Sequence, residues 1–147
     1  MRVYLDTCCY NRAVEESEQE NMKAESEAVN YILASAQENG DVIIGSDAIH
    51  DEINDIHSEA RKSAVQEKYS AAGEYVAYDE AVNNRTYYFM FKANVHEKDA
   101  RHLACAEKGE ANVFLTTDYR LIKASFRLKL NFQVMNPVCY ADCLRKT

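Results

Sequence analysis

Two aspartates stand where the carboxyl ends of strands present functional groups in an α/β protein. Asp6 follows the short apolar segment Arg2 to Leu5, and Asp118 follows the apolar run Val113 to Leu115 after two threonines. Ligands of open α/β sheets bind at the carboxyl ends of strands. Both carboxylates are therefore candidates for chemistry, provided that the two strands are neighbours in the sheet.

Two further acids are expected at helix starts near the same edge. Asp99 opens a segment with helical spacing of apolar residues, and Glu52 lies within the first two turns of the helix after a second strand. Two carboxylates about 5 Å apart repel by roughly 3 kcal/mol at an effective dielectric of about 20, so a cluster of four requires cations or protons. Oxygen ligands suit Mg²⁺ or Mn²⁺. A ligand set made only of carboxylates, with no Cys or His, argues against catalytic zinc.

The elements that must position these acids alternate along the chain. Apolar runs predict strands, and three- and four-residue spacing predicts helices between them. The polar residues 11 to 21 lack periodicity and predict a loop or a frayed helix start, while Gly109 is expected at the left-handed position that ends a helix. The predicted strands are Arg2–Leu5, Val42–Ile44, Glu74–Tyr78, Val113–Leu115 and Phe132–Met135, and the predicted helices cover Met22–Gln37, Asp47–Ile56, Ser58–Ala72, Asp79–Ala93, Asp99–Lys108, Leu121–Leu128 and a short segment after Pro137. This order predicts right-handed crossovers and a parallel sheet with helices on both faces.

Composition places the chain among globular proteins. Residues 1–147 are expected to form a single domain, because hydrophobic residues make up 47% and no apolar run is long enough to span a bilayer. Five cysteines without a secretion signal favour reduced thiols and a cytoplasmic location. The net charge of −7 argues against a broad electrostatic grip on nucleic acid. A bound divalent cation would offset part of that charge, and the stretch Arg120 to Lys129 offers a local basic face.

Four segments together resemble the PIN-domain family of VapC-like metal-dependent ribonucleases. They read V-Y-L-D-T-C-C-Y-N-R, S-D-A-I-H-D-E-I, K-D-A-R-H-L-A-C-A and V-F-L-T-T-D-Y-R-L-I-K, in that order. The resemblance spans nearly the whole chain. It implies a three-layer α/β/α sandwich around a central parallel sheet, with an acidic pocket that binds Mg²⁺ or Mn²⁺ and hydrolyses RNA.

The resemblance also assigns roles to individual residues. The four catalytic and metal-binding acids of the family match Asp6, Glu52, Asp99 and Asp118. The matches expected to bind substrate or to surround these acids are Thr7, Asn11, Arg12 and Thr117. Ala13 stands where related sequences often carry proline. This difference affects the expected geometry of the loop more than the expected chemistry of the site. The implied partners are an RNA substrate, an antitoxin protein and a second copy of the chain in a homodimer.

Each of these positions also has an ordinary structural explanation. Asp118 is suited to capping the helix that begins at Tyr119, and Glu52 has acidic neighbours that would fit a solvated face. His96 and His102 are six residues apart, so packed or exposed side chains are favoured over a metal pair. The aromatic run Tyr87 to Phe91 is better explained by core packing or a dimer interface than by stacking on RNA bases.

Two other functions compete with the ribonuclease. A phosphatase of the haloacid dehalogenase type would use Asp6 as its nucleophile, but it needs a second aspartate two positions later, where this sequence has Cys8. The other alternative is a PIN-like module that binds RNA or protein without turnover. The sequence retains all four acids, so it shows no sign that catalytic residues have been lost.

Overall fold

A five-stranded parallel sheet forms the centre of the protein, as the sequence predicts. The computed structural model describes residues 1–146. The strands are β1 (Arg2–Leu5), β2 (Val42–Ser46), β3 (Glu74–Val76), β4 (Val113–Leu115) and β5 (Gln133–Met135). Their order is β3-β2-β1-β4-β5, and every neighbouring pair is parallel. The chain therefore reverses its direction of travel across the sheet between β1 and β4, which is the topological switch point.

Helices cover both faces of the sheet and complete the predicted α/β/α sandwich. They are α1 (Thr7–Val14), α2 (Glu20–Asn39), α3 (Asp47–Asn54), α4 (Glu59–Tyr69), α5 (Glu80–Ala93), α6 (Glu97–Lys108), α7 (Tyr119–Ser125) and α8 (Pro137–Arg145). Helix α2 packs against α1 and α8, and α5 packs against α6. Right-handed crossovers put these two groups on opposite faces. Within residues 1–146, no helix combines the length and the apolar character needed to cross a membrane.

The central strand β1 delivers Asp6 beside the end of β4. Leu5 pairs with Leu115 across the two strands, and the backbone N–H of Asp6 donates to the Leu115 carbonyl at 2.9 Å. Residues Val3, Tyr4 and Leu5 are all buried, as expected for a strand covered on both faces. The parallel register therefore brings the residues after Leu5 and Leu115 to the same edge of the sheet.

Several helices begin or end at residues with local capping signals, whereas the first helix and the end of α6 differ from the predictions. Ser46 and Asp79 each accept a hydrogen bond from a backbone N–H in the first turn of α3 and α5, and Gly40 ends α2 in the left-handed conformation. The expectation that residues 11 to 14 lie in a loop or a frayed start is wrong. They belong to α1, which buries Cys9, Tyr10 and Ala13 despite its weak apolar pattern.

Gly109 follows α6, but not for the reason predicted. Its φ is −77°, and the left-handed residue is Glu110 with φ 58°. A Cβ on Gly109 would lie 3.0 Å from Ile44 Cγ2 and 3.1 Å from Val76 Cγ2. Close packing of the helix end on the sheet therefore explains this glycine.

Candidate metal and active site

Asp6 holds a carboxylate that the fold does not use for capping. Asp6 occupies the N-cap position of α1, yet its side chain makes no cap hydrogen bond. It is 6% exposed, and its Oδ2 accepts a hydrogen bond from Thr116 Oγ1 at 3.0 Å. Its Oδ1 lies 3.4 Å from His102 Nε2. A buried carboxylate at the switch point is thus held toward other polar side chains rather than toward its own helix.

Glu52 reaches the same place from α3. Its Oε1 accepts hydrogen bonds from His102 Nε2 and, at 3.4 Å, from Thr7 Oγ1. Burial raises the pKa of the Glu52 carboxyl, but the hydrogen bond and the charge of His102 outweigh burial. The pKa of Glu52 therefore lies below its ordinary value of 4.5.

Asp99 lies in the first turn of α6 and is half-buried. Burial, together with the negative charges of Asp6 and Asp118, raises the pKa of its carboxyl from 3.8 to about 6. The charge of Glu52 acts in the same direction. The four predicted acids are therefore close enough to repel one another, which is the condition that a bound cation relieves.

Asp118 has a capping role as well. Its Oδ1 accepts hydrogen bonds from the backbone N–H groups of Arg120 at 2.9 Å and Leu121 at 3.4 Å, at the start of α7. Its own N–H donates to Thr116 Oγ1 at 3.1 Å. Both cap bonds use one carboxylate oxygen, so capping is compatible with ligation through the other.

His102 is a member of the cluster, although the sequence favoured a packed or exposed side chain and did not include it in the site. Its ring is 1% exposed, with Nδ1 2.7 Å from the Tyr4 hydroxyl and Nε2 against Glu52. Burial lowers the pKa of His102, but Asp6 and Glu52 together raise it to about 9. The available signal was its spacing, since a residue three positions after Asp99 shares a helix face with it.

Asp6, Glu52 and His102 form a group whose possible ligand atoms all lie within 4.8 Å of one another. Among the described residues, Asp99 and Asp118 are not part of that tight group. Its donors are mainly carboxylate oxygens, with one imidazole. Carboxylates fit Mg²⁺ or Mn²⁺, so the residues present are chemically suited to such an ion.

The other predicted site residues surround the acids to different degrees. Thr7 contacts Glu52, and Asn11 donates to the Thr7 carbonyl at 3.3 Å. Arg12 lies 3.6 Å from both Glu15 and Glu25 and is paired with them. Thr117 donates its backbone N–H to Cys8 Sγ at 3.4 Å.

The hydroxyl that contacts Asp6 belongs to Thr116 rather than to its neighbour Thr117. Thr116 is the residue that follows the Leu5–Leu115 pair on β4, as Asp6 follows it on β1. Its Oγ1 donates to Asp6 and accepts from the Asp118 N–H, so one side chain links two of the acids.

Two clefts are each lined by some of these acids together with basic side chains. One, of about 450 Å³, is lined by Asp99 and Asp118 together with the basic side chains of Arg120, Lys123 and Arg127. The second, of about 440 Å³, is lined by residues that include Glu52, Tyr78, Lys98 and Arg101. The basic residues predicted as a local face thus include three that line the first cleft beside the acids.

Fold and site together define an α/β/α protein with an acid-lined pocket at the carboxyl edge of a parallel sheet. FitAcB from Neisseria gonorrhoeae has a similar structure, with a TM-score of 0.62, 17% identity and coverage of 92% of this chain and 97% of that chain. VapBC2 from Rickettsia felis, solved bound to a DNA fragment from their promoter, matches with a TM-score of 0.64, 13% identity and coverage of 92% and 98%. No protein-family model and no curated protein sequence matches the chain. The likeness is therefore one of fold.

Proposed function

We propose that this chain, acting as a single domain, is a metal-dependent endoribonuclease. The observation that carries the proposal is the Asp6 carboxylate, which is buried at the switch point, makes no cap bond and adjoins Glu52. The raised pKa of Asp99 supports it, because the charges of the other three acids contribute to that shift. A divalent cation would remove the repulsion that this arrangement carries.

In the proposed mechanism, Asp6, Asp99 and Asp118 would hold Mg²⁺ or Mn²⁺. When bound, the ion lowers the pKa of water and stabilises negative charge on the phosphate. Glu52 would bind the ion through water or orient the attacking water, and Thr7 donates its hydroxyl to Glu52. Asn11 donates to the Thr7 carbonyl, and Thr117 donates its backbone N–H to Cys8 Sγ. Arg12, which pairs with Glu15 and Glu25, is assigned to contact a phosphate of the substrate.

RNA is the substrate that the first cleft favours. Arg120, Lys123 and Arg127 line it beside Asp99 and Asp118, so phosphates entering there meet positive charge next to the acids. This local basic patch answers the objection raised by the net charge of −7. Five free cysteines are consistent with a reducing cytoplasm, which is where we place the protein.

We also propose two protein partners. The VapBC2 neighbour was solved bound to a DNA fragment from their promoter, and by analogy we propose that this chain is the toxin of a toxin–antitoxin pair. A homodimer is supported by α5, whose Tyr87, Tyr88 and Phe91 side chains are 57%, 44% and 86% exposed, while Phe89 is buried in the core. Exposed aromatic residues grouped on one helix are typical of an interface.

Incubation of the purified chain with labelled RNA tests the enzymatic proposal. Cleavage is expected with Mn²⁺ or Mg²⁺, and none with EDTA. Asp6→Asn and Asp118→Asn should abolish it, while Asp142→Asn, a change at an exposed residue of α8, should leave it intact. RNA binding without cleavage would instead indicate the binding module, and hydrolysis of small phosphomonoesters in place of RNA would indicate the phosphatase.

A further inference from the structure

A buried chain of hydrogen bonds runs behind the acids. Ser46 Oγ lies 2.8 Å from the Tyr4 hydroxyl, the same hydroxyl lies 2.7 Å from His102 Nδ1, and His102 Nε2 bonds Glu52. Ser46 and Tyr4 are fully buried and His102 nearly so. Polar groups in such a place are held by their partners, because an unpaired one would lose its hydration without compensation.

This series of hydrogen bonds is closed into a loop by α3. Ser46 is the N-cap of α3 and accepts a hydrogen bond from the Ile49 N–H at 3.2 Å, and α3 carries Glu52. Tyr4 is fixed on the central strand, where its ring stacks on Phe114 with centroids 5.2 Å apart. The end of β2, helix α3, helix α6 and strand β1 thus meet in one closed set of contacts around Glu52.

We propose that His102 is the positioning residue of this site: it donates its Nε2–H to Glu52, is itself oriented by Tyr4 and Ser46, and does not ligate the metal. The proposal rests on the metal-binding function proposed above. Both ring nitrogens of His102 already have hydrogen-bond partners, because Nδ1 lies 2.7 Å from the Tyr4 hydroxyl and Nε2 bonds Glu52. A ring nitrogen that donates a hydrogen bond has no lone pair for a metal.

His102 Nε2 also faces Asp6 Oδ1 at 3.4 Å. One N–H group therefore adjoins the carboxylates of Asp6, which follows β1, and of Glu52 on α3, whose mutual repulsion would otherwise drive them apart. Glu52 has a side chain that is 31% exposed, so loss of this donor leaves it with the longer hydrogen bond from Thr7 Oγ1 at 3.4 Å and allows it to turn toward solvent. Residues that orient ligands in this way commonly contribute 10- to 100-fold to metal affinity.

Calorimetric titration of the purified chain with Mn²⁺ tests the proposal. We expect His102→Gln and Tyr4→Phe each to weaken Mn²⁺ binding by about 10- to 100-fold. If Tyr4 acts through His102, the double variant should bind no more weakly than His102→Gln alone, which a general loss of packing would not produce. Tyr140→Phe is the matched control, because Tyr140 is also a buried tyrosine but lies on α8. Circular dichroism checks that each variant is folded.

Pulsed electron paramagnetic resonance of the Mn²⁺-loaded wild-type chain separates the two possible roles of His102. A positioning residue predicts no directly coordinated ¹⁴N, and a coordinated imidazole signal would overturn the proposal. Unchanged Mn²⁺ affinity in His102→Gln, or additive losses in the double variant, would also overturn it while leaving the proposed function in place. A wild-type chain that binds no Mn²⁺ would overturn both.

Discussion

Replacing Asp99 by Asn should stabilise the metal-free protein while weakening its response to metal. The pKa of Asp99 is raised from 3.8 to about 6, chiefly by burial and by the charges of Asp6 and Asp118. A shift of roughly two units corresponds to about 3 kcal/mol when the group is ionised. Because Asp99 is half-exposed, solvent screening reduces this to about 1.5 kcal/mol.

The sign of the effect follows from proton binding. The folded-state pKa of Asp99 lies above the unfolded value, so the folded chain binds more protons between about pH 4 and 6 and loses stability as the pH rises through that window. At pH 7.5 the wild type carries the full penalty and Asp99→Asn does not. At pH 4 the wild-type carboxyl is itself neutral, so the difference should disappear.

Urea unfolding in EDTA measures the gain. Asp99→Asn also loses the attraction of a carboxylate to the helix N-terminus, so the net gain in the free energy of unfolding is about 1 kcal/mol. If that free energy falls by about 2 kcal/mol per M urea, the unfolding midpoint rises by about 0.5 M. Glu97→Gln is the matched control, because Glu97 lies in the same first turn of α6. It should lose the same helix-terminal attraction, together with its partly exposed ion pair with Arg101 at 3.6 Å, and gain nothing from relieved repulsion.

Adding Mn²⁺ should reverse the order of stability. At 100 times its dissociation constant, a ligand stabilises the folded state by about 2.7 kcal/mol. The wild type should gain that amount, and Asp99→Asn should gain much less. Destabilisation of Asp99→Asn in EDTA at pH 7.5 to the same extent as Glu97→Gln, or an equal Mn²⁺ response in both proteins, would refute the reasoning.

Three further changes probe other parts of the account. The pKa of His102 is raised from 6.5 to about 9, so its contribution to the free energy of unfolding is fully present below about pH 6.5 and is lost as the pH rises through 9. In urea unfolding, the metal-free wild type should therefore lose on the order of 3 kcal/mol of stability between pH 7 and 9.5. An equal loss in His102→Gln over the same pH range would contradict this. Gly45→Ala places a Cβ 2.5 Å from Tyr69 Oη and should lower stability by about 1–2 kcal/mol in urea, whereas Gly73→Ala, with nothing within 4 Å, should not; equal losses would argue against the crowding. Lys123→Glu in the basic cleft should raise KM for RNA about tenfold at low salt with little change in kcat, and a fall in kcat alone would show that the cleft does not bind the substrate.

Much of the fold could be predicted because its strands and most of its helices carry their own signals. The apolar runs at β1 and β4 and the caps at Ser46 and Asp79 are local features of the sequence. Helix α1 was missed because it has only eight residues and its buried side chains alternate with polar ones, which leaves no clear apolar spacing. The packing reason for Gly109 depends on Ile44 and Val76, which are distant in sequence.

The site was harder to predict than the fold, since its contacts join distant segments. To predict that an acid lies at the end of a strand, only the strand itself has to be recognised in the sequence. This was enough to identify Asp6 and Asp118 as candidates. The contact of His102 with Glu52 spans 50 residues and depends on how α6 packs against α3. The choice of Thr116 over Thr117 as the hydroxyl beside Asp6 depends on the register of β1 with β4. Neither is encoded in local spacing.

Anomalous scattering from a crystal grown with Mn²⁺ tests most directly whether these acids hold a cation. The account predicts a manganese peak with oxygens of Asp6, Asp99 and Asp118 at about 2.1 Å. A peak located elsewhere, or a pocket without manganese in a protein that still cleaves RNA, would contradict it.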